Sequence, residues 1–240
     1  MMEYRPLDQT VISIDVYGDF ACFTQADSKV ERTTYPVITP SAARNILSAI
    51  YAKPVEFYYE VVGIDVMKPI RYELIRQNEV YQKATEKNLN EPIITGTGDG
   101  VSTQRYTQFL YDVYYRISFI IHKRTDTVLS DHITEEGIYN QFRKRLNSGK
   151  CFYQPYLGLK ECMCFFKPAD ENISPINESM DLGIMTYDVF DITNNIPLDT
   201  SKKAKTSGKV CLSYYHPYMI NGHINVPRWG SQEIFMMRNN

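Results

Sequence analysis

The sequence is poor in the features that mark several large protein classes. It has five cysteines, an odd number with no CxxC pair, and a single tryptophan among 240 residues. No disulfide framework or zinc ribbon is expected from that usage. Four histidines, His122, His132, His216 and His223, are too scattered for a metal signature such as HExxH. There is no GxSxG elbow and no paired-carboxylate nuclease motif, which weighs against the common hydrolases. The glycines Gly96, Gly98 and Gly100 lack the following Gly-Lys-Ser/Thr of a phosphate loop. The chain begins without a signal-like apolar run and contains no membrane-length apolar stretch, so a protein of the reducing cytoplasm without a membrane partner is expected. A net charge of -2 excludes a uniformly basic coat but permits local basic stripes.

What the chain does have is rings. Nineteen tyrosines and eleven phenylalanines favour β structure. Residues 10–23, TVISIDVYGDFACF, alternate apolar and polar positions as a strand with a bend at Gly18. SAARNILSAIYAKP carries a helical stripe of Ala42, Ile46, Leu47 and Ile50, with Ser41 as the expected N-cap and Pro54 as the stop. Residues 55–68 read as a strand, and PIRYELIRQNEV as a second strand returning from it. From Tyr81 to Gln104 the pattern fails and a mobile insertion is expected. Residues 105–124 form a long central strand, and Thr134 caps a helix with Ile138, Phe142 and Leu146 on its apolar side and Gly149 at its end. Arg143, Lys144 and Arg145 sit in the last turns, where basic residues are also a common solvated face. A further strand is expected over Leu159–Phe166, in which Cys162 and Cys164 read as core thiols.

The order strand, helix, strand, strand, helix, strand predicts an α+β, ferredoxin-like βαββαβ domain of the kind RNA-recognition modules use. Past Pro168 a polar linker leads to strands around 182–192 and 209–226, with Asn221-Gly222 as a hairpin turn. The expected organisation is a domain over 1–168 and a small β-rich extension over 169–240. RNA cleavage without a metal is compatible with the missing motifs, because RNA brings its own 2′-hydroxyl nucleophile. Tyr51, at the end of the first helix beside Lys53, could exchange protons; packing its ring at a helix end fits the local pattern equally well.

FACFTQADSKVERTTYPVITPSAARNILSAIYAKP, MKPIRYELIRQNEV, GKCFYQPYLGLKEC and DLGIM, in that order, resemble the CRISPR-associated Cas-five family, subtype d of type I-C systems. The resemblance covers nearly the whole chain. It implies a protein that cuts precursor CRISPR RNA at the base of the repeat hairpin without a metal or other cofactor. It further implies retention on the crRNA 5′ handle as a Cascade subunit against the backbone and large subunits, with target DNA met only through the complex. Tyr51 matches the family's catalytic tyrosine. The family's adjacent lysine-histidine pair falls on Gly137 and Ile138, neither of which exchanges protons through its side chain. His122, Lys123 or His132 is then expected to approach from the preceding strand and loop, or cleavage is weak and relies on Tyr51 and basic neighbours, or the protein only holds the handle. A general structural protein with basic surface residues is the third reading. For RNA binding the matched blocks and their neighbours nominate Lys29, Arg32, Arg44, Lys53, Arg71, Arg76, Arg145 and Lys160.

Overall fold

A computed structural model describes residues 10–28, 30–80, 102–124, 134–198 and 211–236. Its main sheet is built on β1 (Ile12–Ala21), β2 (Phe57–Val66), β4 (Ser102–Lys123) and β5 (Phe165–Pro168), all neighbours antiparallel in the order β5-β1-β4-β2. Helices α1 (Pro40–Ile50) and α2 (Glu135–Asn147) connect these strands. The helix-facing layer of the sheet includes Ile14, Val16, Ile117 and Phe119, which meet Ile46, Leu47, Ile138 and Phe142 in one core cluster. Phe119 and Phe142 touch edge to face with centroids 5.1 Å apart.

Both helices follow from local chemistry. In α1 the buried stripe is Ala43, Ile46, Leu47 and Ile50. Its cap is Thr39, whose Oγ1 accepts the Ala42 N–H at 3.2 Å, and not Ser41. The reason is Pro40: its fixed φ suits the first helical position, which puts the cap at Thr39, two residues before Ser41. In α2, Thr134 caps as expected, Glu135 and Glu136 sit at the positive end of the helix dipole, and Lys144 and Arg145 at the negative end. Gly149 leaves the helix at φ 63°.

Three expectations need correction. β3 (Tyr72–Val80) does not return along β2. It pairs with the first half of β4, from Val80↔Ser102 to Tyr72↔Leu110, while β2 pairs with the second half. The link across Pro69 carries the chain onward along the same edge, with Met67 N–H donating to Tyr114 O and Tyr111 N–H to Arg71 O. β3 and the start of β4 thus form a ribbon whose Tyr72 and Leu74 are exposed. Ser102 to Gln104, expected in the insertion, already belong to β4; residues 81–101 lie outside the described ones. The strand expected from Leu159 starts only at Phe165. Before it the chain makes a tight turn, with Leu157 N–H donating to Cys162 O and Cys162 N–H to Leu159 O. A Cβ at Gly158 would lie 2.0 Å from Cys22 O, and its φ of 87° also requires glycine. Cys162 and Cys164 are nevertheless buried, and burial pushes both thiols up to about 12.

Beyond residue 168 the sheet continues through β2 into β12 (His223–Asn225), β11 (Tyr218–Ile220) and β6 (Met180–Asp181). Asn221 and Gly222, at φ 50° and 76°, make the β11–β12 hairpin turn. β10 (Ser213–Tyr215) pairs with β7 (Met185–Thr186) and β13 (Phe235–Met236), and β8 (Phe190–Asp191) with β9 (Ile196–Pro197).

Candidate active site

The end of α1, the start of β2 and the inner side of α2 enclose an open groove of about 530 Å³. It is lined by Tyr51, Lys53 and Glu56 from the α1–β2 connection, by Thr134, Gly137, Ile138, Gln141 and Arg145 from α2, and by Phe152. Two residues that sequence reasoning nominated separately, Tyr51 and Arg145, therefore meet. So do Gly137 and Ile138, the positions matched to the lysine-histidine pair.

The groove is fixed by the way α1 ends. A helix leaves its last carbonyls without internal donors. Here the Ala49 carbonyl accepts from Phe152 N–H at 2.7 Å, Ile50 from Arg145 Nε at 2.8 Å, and Tyr51 from the Tyr59 hydroxyl. Arg145 also brings a cation to the negative end of the α1 dipole. Its guanidinium lies 4.2 Å from the Phe152 ring centroid and 5.7 Å from that of Tyr51. The two rings are nearly parallel, at 14°.

Tyr51 itself is buried except at the groove, and its ring leans on Phe57 with centroids 5.1 Å apart. Burial raises its pKa; Lys53 and Arg145 pull against that rise and Glu56 adds to it. The hydroxyl is therefore a protonated donor at neutral pH, not a standing phenolate. Lys53 is exposed and reaches Glu56 at 2.8 Å, a bond that raises its pKa and keeps it cationic. Gly137 contributes its N–H to Thr134 Oγ1 at 3.1 Å, and Ile138 is only 1% exposed. Neither offers a proton-exchanging side chain.

His122 is not brought to this groove. Strand alternation puts Phe119 and Ile121 against the helices and His122 on the opposite face of the sheet. There its Nε2 lies 2.7 Å from Glu60 Oε2 and its ring stacks on Tyr58. Glu60 also accepts from Trp229 N–H at 2.8 Å and pairs with Arg228 at 2.9 Å. Burial would raise the Glu60 carboxyl; these hydrogen bonds and the Arg228 charge outweigh it and hold the pKa below the usual value. Lys123, by the same alternation, falls on the helix side opposite Phe57 in the β2–β4 register. His132 lies outside the described residues.

The residues nominated for RNA contact divide. Lys53 and Arg145 line the groove. Arg32, Arg71 and Arg76 gather at the ribbon: Arg32 pairs with Glu79 at 3.1 Å, Arg71 lies over Tyr111, and Arg76 is exposed on β3. Lys160 is exposed in the turn before β5. Arg44 is engaged in the fold, bidentate to Asp188 at 2.7 and 2.9 Å with both side chains largely buried. Lys29 lies outside the described residues. Sequence reasoning missed Phe152, Gln141 and Glu56 as groove residues. Phe152 stands inside the GKCFYQPYLG block and could have been found there.

No helix among the described residues is long and apolar enough to cross a membrane, and none of their side chains form a metal-ligating cluster. The family model described as CRISPR-associated protein (Cas_Cas5), in its Cas5d form, matches residues 11–227. Two relatives carry the name CRISPR pre-crRNA endoribonuclease Cas5d. The one from Mannheimia succiniciproducens is 32% identical over 237 residues, covering 93% of this chain and 97% of its own. The one from Thermus thermophilus is 31% identical over 232 residues, covering 94% and 95%. Among solved structures, a CRISPR-associated protein superposes with a TM-score of 0.67 at 20% identity, over 95% of this chain and 97% of its own. A functionally uncharacterized protein from Streptococcus mutans gives 0.63 at 17% identity with the same coverage, 95% and 97%. These two share the fold. Matched by the family model from β1 to Pro227 and by relatives above 30% identity over nearly their full length, the chain belongs to the CRISPR-associated Cas5 family, in its Cas5d branch.

Proposed function

We propose that this protein is a metal-independent endoribonuclease that cuts precursor CRISPR RNA at the base of the repeat hairpin and stays on the 5′ handle within a type I-C Cascade. The observation that carries the reading is the groove that unites Tyr51 with Lys53 and Arg145. The relatives' shared name supports the substrate. In the cut, the 2′-oxygen of the RNA forms a bond to the adjacent phosphorus as the bond to the 5′-oxygen breaks. The 2′-hydroxyl gives its proton to solvent water and the leaving 5′-oxygen takes one up, which leaves a 2′,3′-cyclic phosphate and a 5′-hydroxyl. Tyr51, held as a phenol, donates toward the leaving oxygen or orients the 2′-hydroxyl. Lys53 and Arg145, with Lys123 at the nearby strand end, oppose the charge that builds on the phosphate.

The strand order β5-β1-β4-β2 with two helices on one face supports a ferredoxin-like reading of residues 1–168, onto whose sheet residues 169–240 grow as a β-rich extension. The reading also takes the prokaryotic cytoplasm as the compartment, crRNA with the Cascade backbone and large subunits as partners, and target DNA as a contact made through the complex. Arg32, Arg71, Arg76 and Lys160 serve as phosphate contacts away from the cut.

A second reading, a handle-binding subunit that does not cut, is favoured by Gly137 and Ile138 in the groove. Cognate repeat RNA incubated with the protein in EDTA separates the two. A single cut below the hairpin is expected, with Tyr51→Phe slowing it by about 100-fold while RNA affinity is kept. Intact RNA under conditions where the protein binds it would reject cleavage and leave the scaffold.

A further inference from the structure

The groove contains an arrangement that proton transfer does not require. Phe152 is 57% exposed, with its ring nearly parallel to the buried ring of Tyr51. It is not loose: its N–H is tied to the Ala49 carbonyl, and the Arg145 guanidinium lies 4.2 Å from its ring centroid. Arg145 in turn is oriented by its Nε bond to Ile50 O, while its Nη groups make no hydrogen bond with the described residues. The protein thus holds a flat aromatic surface and a forked donor side by side, both preset by the backbone at the end of α1. A nucleotide offers the complement to each, a base with a π face and a phosphate with paired oxygens.

We propose that Phe152 and Arg145 form a nucleotide subsite in which an unpaired base next to the cut stacks on the exposed side of Phe152 and the Nη groups of Arg145 hold the adjoining phosphate. This rests on the reading of the groove as an RNA site. Stacking on phenylalanine tolerates any base, so the subsite fixes the position of the cut relative to the hairpin without reading sequence. Arg145 acts in it as a binding residue whose direction is set by α1. With Gly137 and Ile138 offering no charge, the cations of this groove are Arg145 and Lys53, and of the two only Arg145 lies over the Phe152 ring.

The test uses full-length protein and repeat RNA carrying 2-aminopurine in turn at each of the two nucleotides flanking the cut, with a 2′-deoxy sugar at the cut to prevent reaction. The wild type is expected to quench the probe at one of the two positions. Phe152→Ala, an exposed change that leaves the core intact, is expected to abolish that quenching and raise the Kd about tenfold. Replacing that nucleotide by an abasic one should weaken wild-type binding and leave the variant unchanged. Arg145→Lys keeps the charge and loses the fork, and should raise the Kd for the 2′-deoxy RNA about tenfold; an unchanged Kd would overturn the phosphate half of the subsite. Equal quenching by wild type and Phe152→Ala, or no quenching at either position, overturns the subsite. Binding and quenching without cutting of ordinary RNA would uphold the subsite and reject the endonuclease reading, whereas no repeat binding at all rejects both.

Discussion

Among single residues, Glu60 has the most exposed consequence for stability. Its carboxylate, 6% exposed, holds β2 to the Arg228–Trp229 segment through a backbone N–H and an arginine, and to β4 through His122. Glu60→Gln should cost about 2 kcal/mol at neutral pH, since bonds to a charged group are replaced by neutral ones. Because the folded pKa lies below the unfolded value of about 4.3, the stability Glu60 contributes is complete above that pH. It is lost as pH falls through the folded value. Denaturant melts of both proteins should therefore show a constant gap near neutrality that narrows below about pH 4; a gap that persists in acid would contradict the role. The position of His122 shows what sequence could not convey. In SFIIHK three consecutive apolar residues hide the alternation, so nothing local says which face His122 takes. Tyr51 was legible through the family blocks, whereas Phe152 gains its meaning only from contacts with Ala49 and Arg145, about a hundred residues apart in the chain for Ala49.

At the scale of elements, both helices and the long β4 could be read because apolar periodicity and capping residues coincide there. β3 was recognised as a strand but given the wrong partner, since its own sequence carries no record of whether it turns back on β2 or runs on along β4. Arg44 on α1 repeats the lesson: it reads as a surface cation until Asp188, 144 residues away, is brought to it. That pair ties α1 to the segment before β8, and the Ser41 N–H bond to Tyr187 O strengthens the same seam. Arg44→Ala should lower stability by about 3 kcal/mol, as removing one partner strands the buried Asp188 charge. At a temperature where the variant is folded, its RNA affinity and the salt dependence of that affinity should match wild type. A reduced salt slope would instead return Arg44 to the phosphate contacts.

For the whole molecule, one sheet runs from β5 to β6, and one core cluster includes Ile12 at one end of the chain and Val226 near the other. Residues after 168 supply Trp229 to Glu60, Asp188 to Arg44 and strand β12 to β2. Such interlocking predicts a single cooperative unfolding transition by calorimetry, with matching calorimetric and van't Hoff enthalpies. Two resolved transitions would mean that the extension folds as a separate body. Composition could suggest a β-rich tail; it could not say that the tail completes the sheet already begun.

The three carbonyls that close α1 also set an order of events during synthesis. Their donors stand 8, 95 and about 103 residues further along, at Tyr59, Arg145 and Phe152. A growing chain can form α1 and its strand early, because those contacts are local. It has no groove until Phe152 has emerged from the ribosome and α2 has docked. A nascent or truncated chain ending before that point carries Tyr51 without Phe152 beside it, so under the proposed function an incomplete copy lacks the assembled site.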